Sequence, residues 1–264
     1  MGIAKNKNYK IKYLFAIVFY LFSTNYAFSA YEKPYNDYQL DVETDLYDNY
    51  DEEVETFYDP FEKFNRKIFN FNISFNKYIT EPVGKSYRFV TTKGMRRSID
   101  NVLKNLRSPV ILINSILQLD MKNSARTISS FAINSTIGVL GLFNPAKKME
   151  IYNENADFGQ TLGKWKVGTG PYLVLPILGP SNFRDGSGIL VDKAIDPLDY
   201  NILEFGGKKP LVSWKFRWIR TGFYALNISN FVVETFTPLL ETSFDPYVMT
   251  RNAYLQNRKY KINK

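Results

Sequence analysis

GQTLGKWKVGTGPYLVLPILGPSNFRDGSG, residues Gly159 to Gly188, holds seven of the chain's fifteen glycines together with Pro171, Pro176 and Pro180. Between its two Gly-Pro pairs runs an apolar stretch, Tyr172 to Leu178, which Pro176 bars from forming a continuous helix. Turns at both ends predict a kinked apolar ridge carried on rigid backbone. The sequence on either side is helical by its periodicity, so the ridge is an irregular insert in a mainly α protein. Irregular backbone among helices is tolerated where protein buries it or where it lines a wet cavity. The stretch therefore predicts either a loop crossing a helical core or the wall of a channel or lipid groove.

Composition narrows the chemistry. The 264 residues include no cysteine and no histidine. That excludes Cys nucleophiles, Cys or His metal sites, disulfides and Ser-His-Asp catalysis together. No cofactor and no metal site is expected. Aromatic residues are 16% of the chain, with 21 Phe and 19 Tyr, a content suited to a membrane interface. The net charge of +8 is unevenly spread. Residues 31–60 carry eleven acids against one Lys, whereas 61–264 carry 29 basic and 15 acidic residues. A basic body attracts phosphate, in nucleic acid or on lipid headgroups.

The amino terminus decides between those two. Lys5, Lys7, Lys10 and Lys12 precede the apolar run Leu14 to Phe22. As a helix that run measures about 14 Å, too short to span a bilayer. With the small residues Ala27, Ser29 and Ala30 behind it, residues 1–29 read as a secretory signal peptide. Cleavage falls after Ser29 or after Ala30, the alternative being an uncleaved anchor. An exported chain makes nucleic acid an unsuitable partner. Residues 30–56 are acidic and poor in aliphatics, which predicts a disordered tether or an acidic docking peptide.

Residues 57–264 read as a single helical domain. Asp59-Pro60-Phe61-Glu62 has the form of an N-cap, a first-turn proline and a reciprocal capping acid. Phe57, Phe61, Phe64, Ile68, Phe71, Phe75 and Tyr78 then recur at steps of four and three, one aromatic helix face. Asn65, Asn70, Asn72 and Asn76 fall between them, which predicts two unlike neighbours, core on one side and lipid or headgroup on the other. Glu81-Pro82 predicts the helix end. Lys93 to Leu106 reads as a basic helix with Met95 and Leu103 inward and Arg96, Arg97, Lys104 and Arg107 outward. Ser108-Pro109 predicts a new, short apolar helix to Leu119, and Asp120 caps the next, to about Ile137. Ser181 is placed to cap a helix from Asn182 toward Ala194. Asp192, Asp196 and Asp199 follow at spacings of four and three. They suit either an acid/base or divalent-metal cluster, as in a periplasmic hydrolase, or caps and turns. Leu211 to Leu240 predicts a long amphipathic helix or two abutting ones. Its Trp214 and Trp218, beside Lys215, Arg217 and Arg220, have the pattern of an interfacial membrane segment or of ordinary core packing. Ser243-Phe244-Asp245-Pro246 opens a basic terminal helix.

Several of these motifs, in this order, resemble the VacJ family, also called MlaA. They are Tyr58-Asp59-Pro60-Phe61-Glu62-Lys63-Phe64-Asn65-Arg66 with Phe69-Asn70-Phe71-Asn72, then Phe158-Gly159-Gln160-Thr161-Leu162-Gly163. Val167-Gly168-Thr169-Gly170-Pro171-Tyr172, Leu175-Pro176, Arg184-Asp185 and Asp245-Pro246-Tyr247-Val248-Met249-Thr250-Arg251 continue the series. The resemblance implies a ring-like helical bundle in the periplasmic leaflet of the outer membrane, enclosing an amphipathic channel bounded by the Gly/Pro-rich ridge. It implies phospholipid as the transported partner, outer-membrane porin trimers as neighbours and a periplasmic lipid carrier as recipient. It implies transport that keeps lipid asymmetry, with no enzyme chemistry. A porin-associated protein without lipid passage is the other reading. On this basis the channel wall is expected from Asn70, Phe71, Asn72, Phe75, Tyr172, Leu173, Val174, Leu175 and Ile177. Lys164, Lys166 and Arg184 are candidates for the headgroup phosphate. Family members typically carry an acylated cysteine, and this sequence has none. Apolar helix faces and partner proteins are then expected to hold it in place.

Overall fold

The structure, a computed structural model, describes residues 59–198 and 212–264. The expected signal peptide, the acidic segment and Asp199 lie outside the described residues.

Helix α1 spans Glu62–Phe75. Asp59 does not cap it as a first helical neighbour. Its Oδ1 accepts from the Phe61 amide at 3.1 Å and from the Asn65 side chain at 3.0 Å, and Glu62 turns away to Arg66 at 2.8 Å. Nor does the helix end at Glu81-Pro82. It widens into a π turn at Asn76–Thr80 and continues as α2, Glu81–Val90, with Pro82 in its first turn. A proline lacks the N–H and crowds the carbonyl four residues back, and a wider turn accommodates both.

Helix α3 runs unbroken from Lys93 to Leu117 with Pro109 inside it, so no new helix starts there. Packing against neighbours on both sides sustains it across the missing rung. Arg96 and Arg107, expected outward, are buried, and Met95 is exposed. Asp120 caps α4 (Met121–Thr136) through the Asn123 amide at 2.9 Å, as its position predicts. A single turn, α5 (Pro145–Lys148), and α6 (Phe158–Lys164, capped by Asp157) lead to the glycine-rich stretch.

That stretch is not an irregular ridge. It forms an antiparallel hairpin, β1 (Tyr172–Leu175) and β2 (Gly179–Asn182), with Tyr172 opposite Asn182 and Leu175 opposite Gly179. Pro176-Ile177-Leu178 makes the turn, in which Ile177 takes φ +70° and Gly179 φ +84°. Asn182, with Ser181 inside β2, caps α7 (Phe183–Ile195) by accepting from the Asp185 amide at 2.7 Å. Beyond residue 212 come α8 (Trp214–Phe231), a second π turn at Val232–Phe236, α9 (Thr237–Glu241) and α10 (Pro246–Asn263).

Contacts follow one another in a closed order. α1 packs on β1, β2 on α10, α10 on α6, α6 on α3, α3 on α8 and α8 on α2, which continues α1. Two crossings are tight because they lack side chains. A Cβ on Gly188 of α7 would lie 2.5 Å from the Gly159 nitrogen of α6, and one on Gly84 would lie 2.4 Å from the Ser229 carbonyl. Gly188→Val should therefore force α6 and α7 apart and cost about 3 kcal/mol. Gly168→Val, where a Cβ meets open space, should change the urea midpoint little.

The burial pattern is inverted. Among the described residues thirty buried side chains are polar or charged and fourteen are apolar. Soluble domains bury the opposite mixture. Large apolar side chains lie outside instead, Phe89 at 91%, Leu140 at 75% and Trp214 at 61% exposed. The compact apolar core is mostly aromatic: Phe69, Tyr172, Tyr247 and Tyr254, with Val174. Helix α1 shares the inversion. Asn65, Phe69 and Asn72 face in, while Phe61, Phe64, Phe71 and Tyr78 are exposed.

Candidate functional site

Two asparagines explain how a helix holds a hairpin. Asn65 donates to the Tyr172 carbonyl at 3.0 Å and accepts from the Val174 amide at 2.9 Å. Two turns on, Asn72 donates to the Leu175 carbonyl at 3.0 Å and accepts from the Ile177 amide at 2.6 Å. Each carboxamide presents one donor and one acceptor, which is what a neighbouring strand would present. Their spacing of seven puts both on one face of α1. The edge of β1 is thus paired to side chains instead of to a third strand.

Behind the hairpin lies a frame made by both ends of the domain. Tyr247 is 2% exposed, and its ring lies 4.4 Å from the Arg66 guanidinium and 5.8 Å from that of Arg251. Its hydroxyl donates to Asp59, and burial, reinforced by that carboxylate, raises its pKa. Arg66 also reaches Asp245, the cap of α10, at 2.9 Å. A second cluster centres on Arg258 of α10. It donates to both oxygens of Asp157, at 2.7 and 3.0 Å, and lies 2.8 Å from Asp185. Tyr254 donates to Asp185, whose other oxygen receives Arg184 at 3.0 Å. The cap of α6 and the first-turn acid of α7 are thereby tied to one cation on α10.

Electrostatics within this frame oppose one another. Burial pushes the Asp157 carboxyl up, but the Arg258 charge and hydrogen bonds outweigh it and hold the group well below the usual range. Asp192 accepts from Asn114 at 2.6 Å and from the Phe158 amide at 2.9 Å, and burial raises its pKa well above the ordinary value. The signs differ. The stabilisation from Asp157 is present above its unfolded value of about 3.9 and fades as pH falls toward the folded one. The stabilisation from Asp192 is full below that same value and fades as pH rises through its raised pKa. As pH rises from about 3.9 the native chain should accordingly lose stability relative to Asp192→Asn. Thermal unfolding of both proteins from that pH upward gives the slope.

Beside the hairpin turn opens a small, largely apolar cleft with a cavity volume of about 50 Å³, partly open to solvent. The inner face of α1 and its π turn supply Phe69, Asn72, Ile73, Asn76 and Thr80. Ile177 to Pro180 form a second wall, and Ile228, Phe231, Val232 and Phe236 from α8 and its π turn form the third.

Of the wall residues expected from sequence, Asn72 and Ile177 line this cleft. Tyr172 and Val174 instead belong to the core, because alternate strand residues share one face. Leu173 and Leu175, on the opposite strand face, are half-buried. Asn70 and Phe71 are exposed on the outward side of α1, and Phe75 is half-buried with its ring 6.3 Å from that of Phe71. Arg184 is buried against Asp185 and the Val167 carbonyl, so it presents no cation at the surface. Lys164 is half-buried and Lys166 exposed, at the end of α6. Trp214 and Trp218 are exposed on α8, but Arg220 is buried and pairs with Asp196 at 3.0 Å. Asp196 also accepts from the Leu198 amide at 2.8 Å. Asp192 and Asp196 are thus occupied as structural acceptors. Among the described residues no group of acids is placed to hold a metal ion.

These features define a class: a helical protein with many polar groups turned inward, many large apolar side chains exposed and an apolar cleft beside a braced hairpin. Residues 57–261 match the MlaA lipoprotein family, and the chain belongs to that family. It is 31% identical over 218 residues to the intermembrane phospholipid transport system lipoprotein MlaA of Escherichia coli, covering 78% of each chain. The protein of the same name from Haemophilus influenzae is 31% identical over 210 residues, 78% of this chain and 79% of that one. An uncharacterised protein of Rickettsia typhi is 34% identical over 209 residues, 78% of each. A solved structure described as the structural basis for maintenance of bacterial outer membrane lipid asymmetry superposes with a TM-score of 0.64 at 30% identity. It covers 78% of this chain and all of the other.

Proposed function

We propose that this chain is the outer-membrane component of an intermembrane phospholipid transport system. It takes phospholipid acyl chains into the cleft between α1, the hairpin turn and α8 and passes the lipid to a periplasmic carrier, which keeps the outer membrane asymmetric. The observation that carries this reading is the cleft itself, an apolar space edged by Asn72, Asn76 and Thr80. Such a lining accepts hydrocarbon and leaves a few fixed dipoles for a polar head. The names of the Escherichia coli and Haemophilus influenzae relatives support it.

The exposed aromatic exterior supports a seat in the periplasmic leaflet beside porin trimers. Among the described residues no helix is long and apolar enough to cross a membrane. A rim of rings with cations nearby suits the interface of one leaflet. The closed order of helix contacts supports a ring-like bundle around the cleft. Lys164 and Lys166 stand as headgroup candidates.

Ile177→Asp tests the lipid path. Asp tolerates the positive φ of residue 177 better than Ile does, and the amide bond to Asn72 needs no particular side chain. A carboxylate facing hydrocarbon costs at least about 2 kcal/mol, so lipid co-purifying with the protein should fall more than tenfold. Unchanged lipid content in a folded Ile177→Asp protein would refute the assignment.

A further inference from the structure

Two walls of the cleft are built by the same device. The π turns Asn76–Thr80 and Val232–Phe236 both face it, contributing Asn76, Thr80, Val232 and Phe236. Each is closed by a bond to the carbonyl five residues back, Glu81 to Asn76 and Thr237 to Val232. Each is followed at once by a helix with proline in its first turn, Pro82 in α2 and Pro238 in α9. In a regular α-helix these rings would press on the carbonyls of Tyr78 and Glu234, and neither proline could donate to them. Widening the preceding turn removes the conflict.

We infer that Pro82 and Pro238 are positioning residues that lock the two wide turns in place and so set the cross-section the cleft offers; this rests on the lipid-passage reading above. The helices on either side of each turn are pinned to different partners. Before the first turn, Asn65 and Asn72 grip the hairpin; after it, Gly84 lies against the Ser229 backbone. Before the second, Asn227 donates to Asp100 at 2.9 Å and Tyr224 to the Leu103 carbonyl at 3.0 Å; after it, Leu240 packs on the aromatic core. One residue of helix corresponds to about 100° of rotation, so the extra residue in each turn reconciles two faces that a regular helix would misalign. Proline fixes where that extra residue sits. With alanine there, the bulge is free to move along the helix, and the side chains lining the cleft move with it.

The chain's lack of cysteine makes the geometry directly measurable. Spin labels at Lys77→Cys and Pro176→Cys span the cleft from the first turn, and labels at Leu239→Cys and Pro176→Cys span it from the second. The native prolines should give one narrow distance population for each pair. Pro82→Ala should add a second population, displaced by several ångströms, to the first pair, and Pro238→Ala should do so to the second. Pro109→Ala, in a helix without a wide turn, should change neither. In parallel, the unlabelled proteins are offered vesicles of diacyl phosphatidylethanolamine mixed with tetra-acyl cardiolipin. Each proline variant should change the ratio in which the two lipids are taken up by about threefold relative to the native chain. Distances unchanged in both variants overturn the inference, whatever happens to lipid preference. Displaced distances in a protein that takes up neither lipid uphold the proline lock and remove the lipid-passage reading.

Discussion

Arg258→Met is expected to destabilise the folded chain by about 3–5 kcal/mol, the cost of leaving buried carboxylates without their cation. Arg258 binds both oxygens of Asp157 and one of Asp185, and all three side chains are almost fully buried. Met fills much of the arginine stem's volume, so the loss reports charge and hydrogen bonding more than packing. Asp157 caps α6 and Asp185 sits in the first turn of α7, so the damage should centre on those helices and the hairpin between them. Chemical denaturation gives the size of the effect, and hydrogen exchange gives its location. A further signature is pH. With Arg258 gone, burial of Asp157 is left opposed by the Gln160 amide and the Arg107 charge, so its pKa should rise. The variant should then lose less stability on acidification than the native protein does. An Arg258→Met protein as stable as the native one would show the cluster to be incidental.

Asn65→Leu should be nearly as damaging, at about 3 kcal/mol, for a different reason. Leucine is close in size but takes away the bonds Asn65 makes to the Tyr172 carbonyl and the Val174 amide, two buried backbone groups. The Asp59 side chain loses a donor as well. Asn72→Leu frees the turn end of the same hairpin and should cost less, because Asn72 and its partners are only partly enclosed. The two variants therefore separate anchoring of the hairpin from the shape of its tip. Asn65→Leu should lower the unfolding midpoint most, and Asn72→Leu should chiefly alter lipid uptake. Asn65→Leu with an unchanged midpoint would mean that the hairpin stands without its helix.

Periodicity makes most helices legible in the sequence, but of the caps expected there only Asp120 holds its helix as placed. Asp59 accepts from the Phe61 amide outside the helix, and Asn182 in place of Ser181 caps α7. The helix ends assigned to Pro82 and Pro109 were misplaced. A local rule about proline cannot register the packing that carries a helix through it. The hairpin escaped notice for a similar reason. Its second strand, Gly179-Pro180-Ser181-Asn182, has no strand propensity, and it is strand only because Asn65 and Asn72 hold its partner. The wall residues were assigned along the chain without the alternation that sends Tyr172 and Val174 inward. The far wall, Ile228 to Phe236, lies in the Leu211–Leu240 stretch, whose uncharged run from Thr221 to Val233 fits an interfacial segment as well as a cleft wall. An uncharged run on a helix does not say what faces it.

The sign of α1 was the harder matter. Phenylalanines at helical spacing normally mark the inside, yet here the asparagines between them do. The available signal was the Asn65, Asn72, Asn76 series, which keeps one face as strictly as the aromatics keep the other.

So many exposed apolar side chains make any aqueous passage the dangerous stage in this protein's life. Phe89, Leu140 and Trp214 stand uncovered from the moment the helices close, and self-association competes with arrival at hydrocarbon. Escort or speed, more than intrinsic robustness, must then decide how many copies reach their destination.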